Sequence, residues 1–297
     1  MKKANLLLLV VGLLASCNNP KHTTNPEEEL FDLTFSVSGF SQTIEPMSRG
    51  GLDGVVCLGY SIFTGSGSFV KKVMTNSGDE NFGTFTEKLP AGNYDISIYA
   101  ANEMMEILDD ESTTSSTHAV PLGIKEPEYW PIGYDVFTFS STITVDSHGT
   151  YDPVLTRPVG MIEVVIDQGI PADVNSIDIT IENYCSTYKP FSSNPSLPDY
   201  NGKSTGREHL STEFGEESTT FRYYVLGKPN ISHKYTVKID GWKTNGSAGS
   251  RTINNVEVFA NKKTILKGQV FEGGNQNTGF TVTIDSDWDP EPNTIDF

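Results

Sequence analysis

The chain has 297 residues, a formal net charge of −17 and an apolar content of 36%. An acidic surface of this size repels nucleic acid and anionic lipid headgroups, so we expect no nucleic-acid partner. The length allows two domains of ordinary size, each with its own hydrophobic core.

The first 16 residues have the pattern of a secretory signal peptide. Lys2 and Lys3 precede an apolar run at 6–13 that is shorter than the roughly 20 residues of a membrane-spanning helix. The run ends in Leu14-Ala15-Ser16-Cys17, which resembles the lipobox of bacterial lipoproteins. That resemblance implies cleavage before Cys17 and a lipid on its sulfur, and the mature charge becomes −19 because two lysines are removed. The alternative is an ordinary signal peptide that contains a cysteine.

Residues 17–29 are predicted to be a lipidated tether. The part after Cys17 contains two prolines and three consecutive glutamates but no apolar residue, so it is a solvated linker between the lipid and the first domain. Two acyl chains or more would hold such a protein stably at a membrane surface.

Alternation of apolar and polar residues begins at Phe31 and returns along the whole chain. Phe31, Leu33, Phe35 and Val37 alternate with polar residues, which predicts a strand with one wet face. The same period predicts strands at 56–62, 94–98, 137–139, 162–166, 177–181, 235–239 and 280–284. Only 103–108 and 207–214 suggest short helices, and the polar stretch 192–205 suggests a long loop.

These patterns predict an all-β protein of two tandem β-sandwich domains. Gly149, Pro153 and Pro158 interrupt the alternation, and a strong strand pattern restarts at Gly160. We therefore predict an N-terminal domain at 30–155 and a C-terminal domain at 156–297.

The last predicted strand places Phe280, Val282 and Ile284 on one face. We expect it to pair within the second domain and to pack that face against an apolar surface. Removal of residues 280–297 would then unfold the protein.

The sequence shows no pattern of a catalytic or metal site, so we expect no enzymatic activity, catalytic residue, cofactor or metal. The five histidines are far apart, and neither a nucleophile elbow nor a phosphate-binding glycine loop is present. Asp285, Asp287 and Asp289 are spaced as in a calcium loop, but the glycine and the closing glutamate of that loop are missing. Carboxylates that meet only in the fold, as in a glycosidase, stay an open alternative.

Two cysteines remain once Cys17 carries lipid. An exported protein can form disulfides, but Cys57 and Cys185 fall in different predicted domains. We therefore expect two buried thiols rather than a disulfide.

Aromatic residues offer a second functional interpretation, namely sugar binding. Trp130 lies in a polar loop and is the best candidate for an exposed aromatic contact, while Trp242 and Trp288 could also stack on sugar rings. The alternative function is a glycan-binding surface lipoprotein of a nutrient-uptake complex.

Segments 89–102, 155–166 with 170–174, and 258–271 with 280–288 resemble the fimbrillin and fimbrial-anchor superfamily of type V pili. The first strand and the loop after it are more similar to the anchor branch. The resemblance implies two β-sandwich domains and a lipid anchor in the outer membrane of a Gram-negative cell. It also implies other fimbrial subunits as partners, joined by donor-strand exchange, and no small-molecule ligand. A strand supplied by one subunit would complete the sheet of another.

The resemblance gives Arg49 a conditional role. In stalk subunits of this superfamily an arginine-specific protease removes the first strand, and Arg49 is the first arginine of this chain, followed by two glycines. Anchor subunits keep their lipid and are not cut. A polymerising stalk fimbrillin cleaved after Arg49 is therefore a further alternative.

Overall fold

The computed structural model of the protein describes residues 29–37, 39–41, 54–122, 135–185, 187–192, 202–209, 218–227, 233–271 and 280–285. Within these ranges the chain forms nineteen β-strands and no helix, so the prediction of an all-β fold is confirmed. Accordingly, the described ranges contain no helix that could cross a membrane.

The N-terminal half forms two sheets that face each other across one core. Its sheets have the orders β5-β1-β9 and β2-β10-β8-β6-β3-β4, and the core between them includes Phe35, Tyr60 and Ile96. The first ten strands are β1 (Leu30–Ser36), β2 (Gly39–Ser41), β3 (Cys57–Thr64), β4 (Phe69–Asn76), β5 (Thr84–Pro90), β6 (Gly92–Ala101), β7 (Val120–Pro121), β8 (Val136–Val145), β9 (Gly149–Tyr151) and β10 (Val154–Thr156).

The C-terminal half repeats this two-sheet arrangement. Its sheets have the orders β15-β11-β18-β19 and β14-β12-β16-β17, with Ile162, Ile179 and Ile239 in the core. Its strands are β11 (Val159–Ile166), β12 (Val174–Tyr184), β13 (Thr187–Tyr188), β14 (Gly202–His209), β15 (Thr219–Leu226), β16 (His233–Lys243), β17 (Gly246–Val258), β18 (Lys263–Gly268) and β19 (Thr281–Asp285).

A third apolar cluster contains residues from both halves and includes both described cysteines. The Cys57 thiol donates to the Glu103 carbonyl at 3.0 Å, and the Cys185 thiol donates to the Thr187 carbonyl at 3.2 Å. Both are buried and neither forms a disulfide, so the prediction of two buried thiols is confirmed. Burial raises the pKa of the Cys57 thiol.

Arg157 joins the two halves at the point where β10 leads into β11. Its guanidinium donates to both carboxylate oxygens of Asp135, at 2.7 and 3.1 Å, and to the Asn261 side-chain oxygen at 2.6 Å. It also lies over the Phe137 ring, 4.6 Å from the centroid. A buried bidentate pair of this kind holds one geometry, because either charge alone would be costly to bury. The domain boundary itself stays a prediction.

The local predictions at 103–108, 207–214 and 192–205 were wrong where the structure describes them. Residues 103–108 form no helix, and only Met105 and Ile107 among the four apolar residues there are buried. Residues 202–209, which include the end of the predicted loop and Arg207, form strand β14 because they pair antiparallel with β12. Pairing with a distant segment decides whether such an ambiguous segment becomes a strand, a helix or a loop. Residues 193–201 and 210–214 lie outside the described ranges.

Candidate functional site

The three residues singled out for function all lie outside the described ranges. Cys17, Arg49 and Trp130 therefore stay predictions, as do Asp287, Asp289 and Trp288. The described strands that bear on assembly are the first, β1, and the last, β19, together with the groups that hold them.

Strand β1 lies in the middle of its sheet. It pairs antiparallel with β5 from Leu30 to Ser36 and parallel with β9 from Leu33 to Phe35. The predicted inward face is confirmed, since Leu33 and Phe35 are 0% and 1% exposed. The sequence has an apolar residue at each inward position because those side chains fill the space between the two sheets.

Aromatic stacking fixes the centre of β1. The Phe35 ring stacks on Phe85 of β5 and Tyr151 of β9, with centroids 5.1 and 5.0 Å apart. Phe85 in turn stacks on Tyr60 of β3 at 4.0 Å. Offset aromatic pairs of this kind stabilise by about 0.5–1.5 kcal/mol beyond the area that they bury. Both neighbouring strands and the opposite sheet therefore hold β1 in place.

Three hydrogen-bonded polar side chains lie beside this stack at the edge of the core. The Tyr60 hydroxyl donates to Glu87 of β5, and the Lys71 ammonium donates to both oxygens of the same carboxylate at 2.7 and 2.9 Å. Burial, and then the hydrogen bond to Glu87, raise the pKa of Tyr60 above its usual range. This group links β3, β4 and β5.

A looser polar contact ties the outer face of β1 to the residue before β9. The Asp32 amide donates to His148 Nδ1 at 2.9 Å, and the Lys88 ammonium lies 3.3 Å from the Asp32 carboxylate. All three side chains are exposed to a large extent, so salt screens these contacts and they contribute little.

Strand β19 has a different environment. Among the described strands it pairs only with β18, in antiparallel orientation, and it is the last strand in the order of that sheet, so the predicted pairing within the C-terminal half is confirmed. The predicted packing of its apolar face is wrong for Val282 and Ile284, which are 47% and 39% exposed. Only Phe280, just before the strand, packs against the core.

One exposed tryptophan is described, on the outer face of the sheet that contains β16. Trp242 is 39% exposed, and its indole N–H donates to Asp178 Oδ2 at 2.7 Å. Asp178 lies directly opposite Asp240 in the register of β12 and β16. The Ser250 hydroxyl and the Lys238 ammonium each lie 2.7 Å from the Asp240 carboxylate. This arrangement is an aromatic surface with polar groups beside it.

Sequence reasoning missed a buried polar network on the outer side of β3. The Ser61 hydroxyl donates to Asp109 Oδ2 at 2.6 Å, and His118 Nδ1 lies 2.7 Å from the same oxygen. Its residue types are those of a catalytic triad, but Ser61 and His118 are completely buried and the hydroxyl points to the carboxylate rather than to the imidazole. The spacing of Ser61, Asp109 and His118 in the sequence does not indicate this network. The network anchors residues 103–118 to the sheet.

The described residues contain no group of three or more His, Cys, Asp or Glu side chains that could hold a metal ion. Asp285, the one described member of the calcium-like spacing, lies in β19 with its carboxylate 3.8 Å from the Lys263 ammonium.

Comparison with solved structures shows where this fold occurs. The fimbrial anchor protein Mfa2 of Porphyromonas gingivalis superposes with a TM-score of 0.54 at 11% identity, over 86% of this chain and 98% of Mfa2. A candidate polysaccharide-binding protein of Bacteroides thetaiotaomicron gives 0.56 at 8% identity, over 87% and 96%. A candidate adhesin of Bacteroides ovatus gives 0.53 at 11% identity, over 86% and 92%.

These proteins share the two-part β fold with this chain along nearly their whole length, so the expected resemblance to fimbrial proteins is confirmed at the level of fold. A scan against protein-family models gives no match, and a search of curated proteins gives none either.

Proposed function

We propose that the protein is a non-enzymatic structural lipoprotein of a cell-surface fimbrium, acting as an anchor or accessory subunit. The observation that supports this best is the fold that it shares with a fimbrial anchor over nearly the whole of both chains. Its partners are other fimbrial subunits, and its two sandwich domains comprise residues 30–155 and 156–297.

The protein is held at the outer membrane by lipid on Cys17, with residues 17–29 as the tether. Strand β1 follows this tether directly and lies between β5 and β9 in its sheet. Assembly proceeds by strand complementation, in which a segment of one subunit completes a sheet of the next.

Mass spectrometry of the mature N-terminus in the native host tests the lipid anchor. We expect an acylated Cys17 as the first residue. Mature protein that begins at Gly50 would instead identify a stalk subunit cleaved after Arg49. The Cys17→Ala variant should leave the membrane fraction, and a Cys57→Ala variant, which removes a buried thiol, should not.

The fimbrial role is tested by removing the gene and measuring fimbriae on the cell surface by electron microscopy. We expect fimbriae to be lost, shed into the medium or altered in length, and expression of the wild-type chain should restore them. Unchanged fimbriae in number, length and attachment would contradict the fimbrial role even if Cys17 proves to be lipidated.

Glycan binding is the second candidate function, and the partly exposed Trp242 favours it. An indole ring held by Asp178 and flanked by further polar groups is suited to stacking on a sugar ring. Binding of surface polysaccharides that is lost in Trp242→Ala and retained in a Val154→Ala control would support this function. Absence of binding to a broad glycan panel would exclude it.

A further inference from the structure

Residues 103–110, here named the outer strap, lie between β6 and β7. Their burial alternates strictly from residue 104 onward: Met105, Ile107 and Asp109 are buried, while Met104, Glu106 and Leu108 are exposed. A period of two is the period of an extended chain. The outer strap is therefore strand-like, although it pairs with no strand within the described ranges.

From residue 103 to residue 107, the hydrogen-bonded backbone groups of the outer strap lie on one edge. At the end of the strap, the Asp110 amide donates to the Thr113 hydroxyl at 3.0 Å and its carbonyl accepts from the Thr113 amide, so the open edge ends at residue 108. The Glu103 carbonyl accepts from the Cys57 thiol at 3.0 Å, and the Ile107 carbonyl accepts from the Lys72 ammonium at 2.5 Å. In an extended chain, alternate residues direct their N–H and C=O groups toward the same edge. The backbone groups of residues 104, 106 and 108 therefore point the other way, and they have no hydrogen-bond partner in the described part of the chain.

The other face of the outer strap is fixed to the sheet beneath it. Met105 and Ile107 lie in the third apolar cluster, and Asp109 is bonded to Ser61 and His118. These contacts already order the segment. A partner that binds its free edge would therefore not lose binding free energy to the entropy cost of ordering it.

The exposed side of the outer strap is apolar and acidic. Leu108 and Met104 are 76% and 56% exposed, more than any other large apolar side chain in the described ranges. Four of the five acidic residues in the segment 103–111 are exposed, namely Glu103, Glu106, Asp110 and Glu111, and the segment contains no lysine or arginine. An unpaired edge with exposed apolar side chains is a template for an added strand.

We propose that the outer strap is a docking edge for an extended segment of another polypeptide that carries lysine or arginine among apolar residues. The segment adds as a β-strand along residues 104–108, packs its apolar side chains on Met104 and Leu108, and places its cations near Glu106 and Asp110. A second copy of this chain fits poorly because its net charge is also −17. This inference does not depend on the fimbrial role.

The test uses fluorescent nine-residue peptides and the folded protein at about 0.15 M salt. An alternating Lys/Val peptide should bind, whereas an alternating Glu/Val peptide of the same apolar content should not. A Lys/Val peptide N-methylated at every second residue keeps its charge but loses one hydrogen-bonding edge, and it should bind at least about tenfold more weakly.

Two variants localise the binding. Leu108→Ser leaves the charge unchanged and should weaken binding of the Lys/Val peptide about tenfold. Val154→Ser, at a valine elsewhere that is 48% exposed against 76% for Leu108, should not. Both side chains are exposed, so both variants should keep the wild-type thermal midpoint. Absence of binding, equal binding of the N-methylated or acidic peptide, or unchanged binding by Leu108→Ser would each overturn the proposal.

Discussion

The first and last described strands have the same kind of sequence and opposite surroundings. Strand β1 alternates Leu33 and Phe35 with polar residues, and β19 alternates Val282 and Ile284 in the same way. Strand β1 has a neighbour on both sides, and its inward Leu33 and Phe35 are buried although Leu30 at its start is 49% exposed. Within the described residues, β19 has one neighbour, and both Val282 and Ile284 are exposed. Alternation thus predicts a strand and its two faces, but distant segments decide whether either face is covered.

Removing one strand or the other should give the largest difference in stability between β1 and β19. A chain that begins at residue 38 loses Phe31, Leu33 and Phe35 of β1 and the buried Val37 that follows it. Each contributes up to about 1.5–3 kcal/mol, and their sum is comparable to the 5–15 kcal/mol that holds a whole domain folded. We expect the N-terminal half of this chain to lose cooperative unfolding. A chain that ends at residue 279 should keep cooperative unfolding in both halves, which revises the expectation from sequence. Equal loss in both chains, measured by circular dichroism during heating, would contradict the comparison.

A single charge inside β1 should have the next largest effect. Leu33→Asp buries a carboxylate in the core and should lower the free energy of unfolding by more than about 4 kcal/mol. The adjacent Thr34→Asp lies on the partly exposed face and should cost less than about 1 kcal/mol. Urea denaturation of both variants measures the difference, and similar values would mean that the inward face of β1 is misassigned.

Alkaline pH should lower the stability that Tyr60 contributes to the core around β1. The pKa of Tyr60 is raised in the folded protein, so the unfolded chain loses this proton at about pH 10 while the folded chain keeps it. Stability from this group is therefore full below pH ~10 and falls as the pH rises above it. Tyr60→Phe should cost about 1 kcal/mol at pH 7 and make the alkaline decline shallower. Urea titrations at several pH values measure this slope, and an unchanged slope would contradict it.

The smallest effect is expected in β19. Val282→Asp should change the free energy of unfolding by no more than about 0.5 kcal/mol, because about half of the residue is already in solvent and the strand is packed on one side only. Gly268→Ala, in the neighbouring strand, serves as a sensitive control, since its added methyl group would lie within 2.8 Å of the Phe280 ring. A large loss from Val282→Asp would reveal a covering surface for β19.

Much of the fold follows from local pattern. The strand beginning at Phe31, the buried face with Leu33 and Phe35, and the two buried thiols could all be predicted, because each depends on the chemistry of neighbouring residues. The outer strap was misread as a short helix, since Met104, Met105, Ile107 and Leu108 are spaced compatibly with either period over so few residues.

Contacts between distant residues could not be predicted. Arg157 meets Asp135 and Asn261, which lie 22 and 104 residues away. The Asp109 network depends on a loop that returns across β3, and nothing in the spacing of Ser61 and His118 indicates it. The residues that bear most on the proposed function, Cys17 and Arg49, are identified by sequence motif and resemblance alone.

The parallel pairing of β1 with β9 has a consequence for the order of folding. The contact between Asp32 and His148 joins residues 116 positions apart, and β2 pairs with β10 over a similar distance. Contacts of such separation form late because a long loop must close first. During synthesis, β1 therefore stays without its parallel neighbour until the chain has grown as far as Gly149–Tyr151. During that interval its apolar face is open to a chaperone, or to a strand from another molecule.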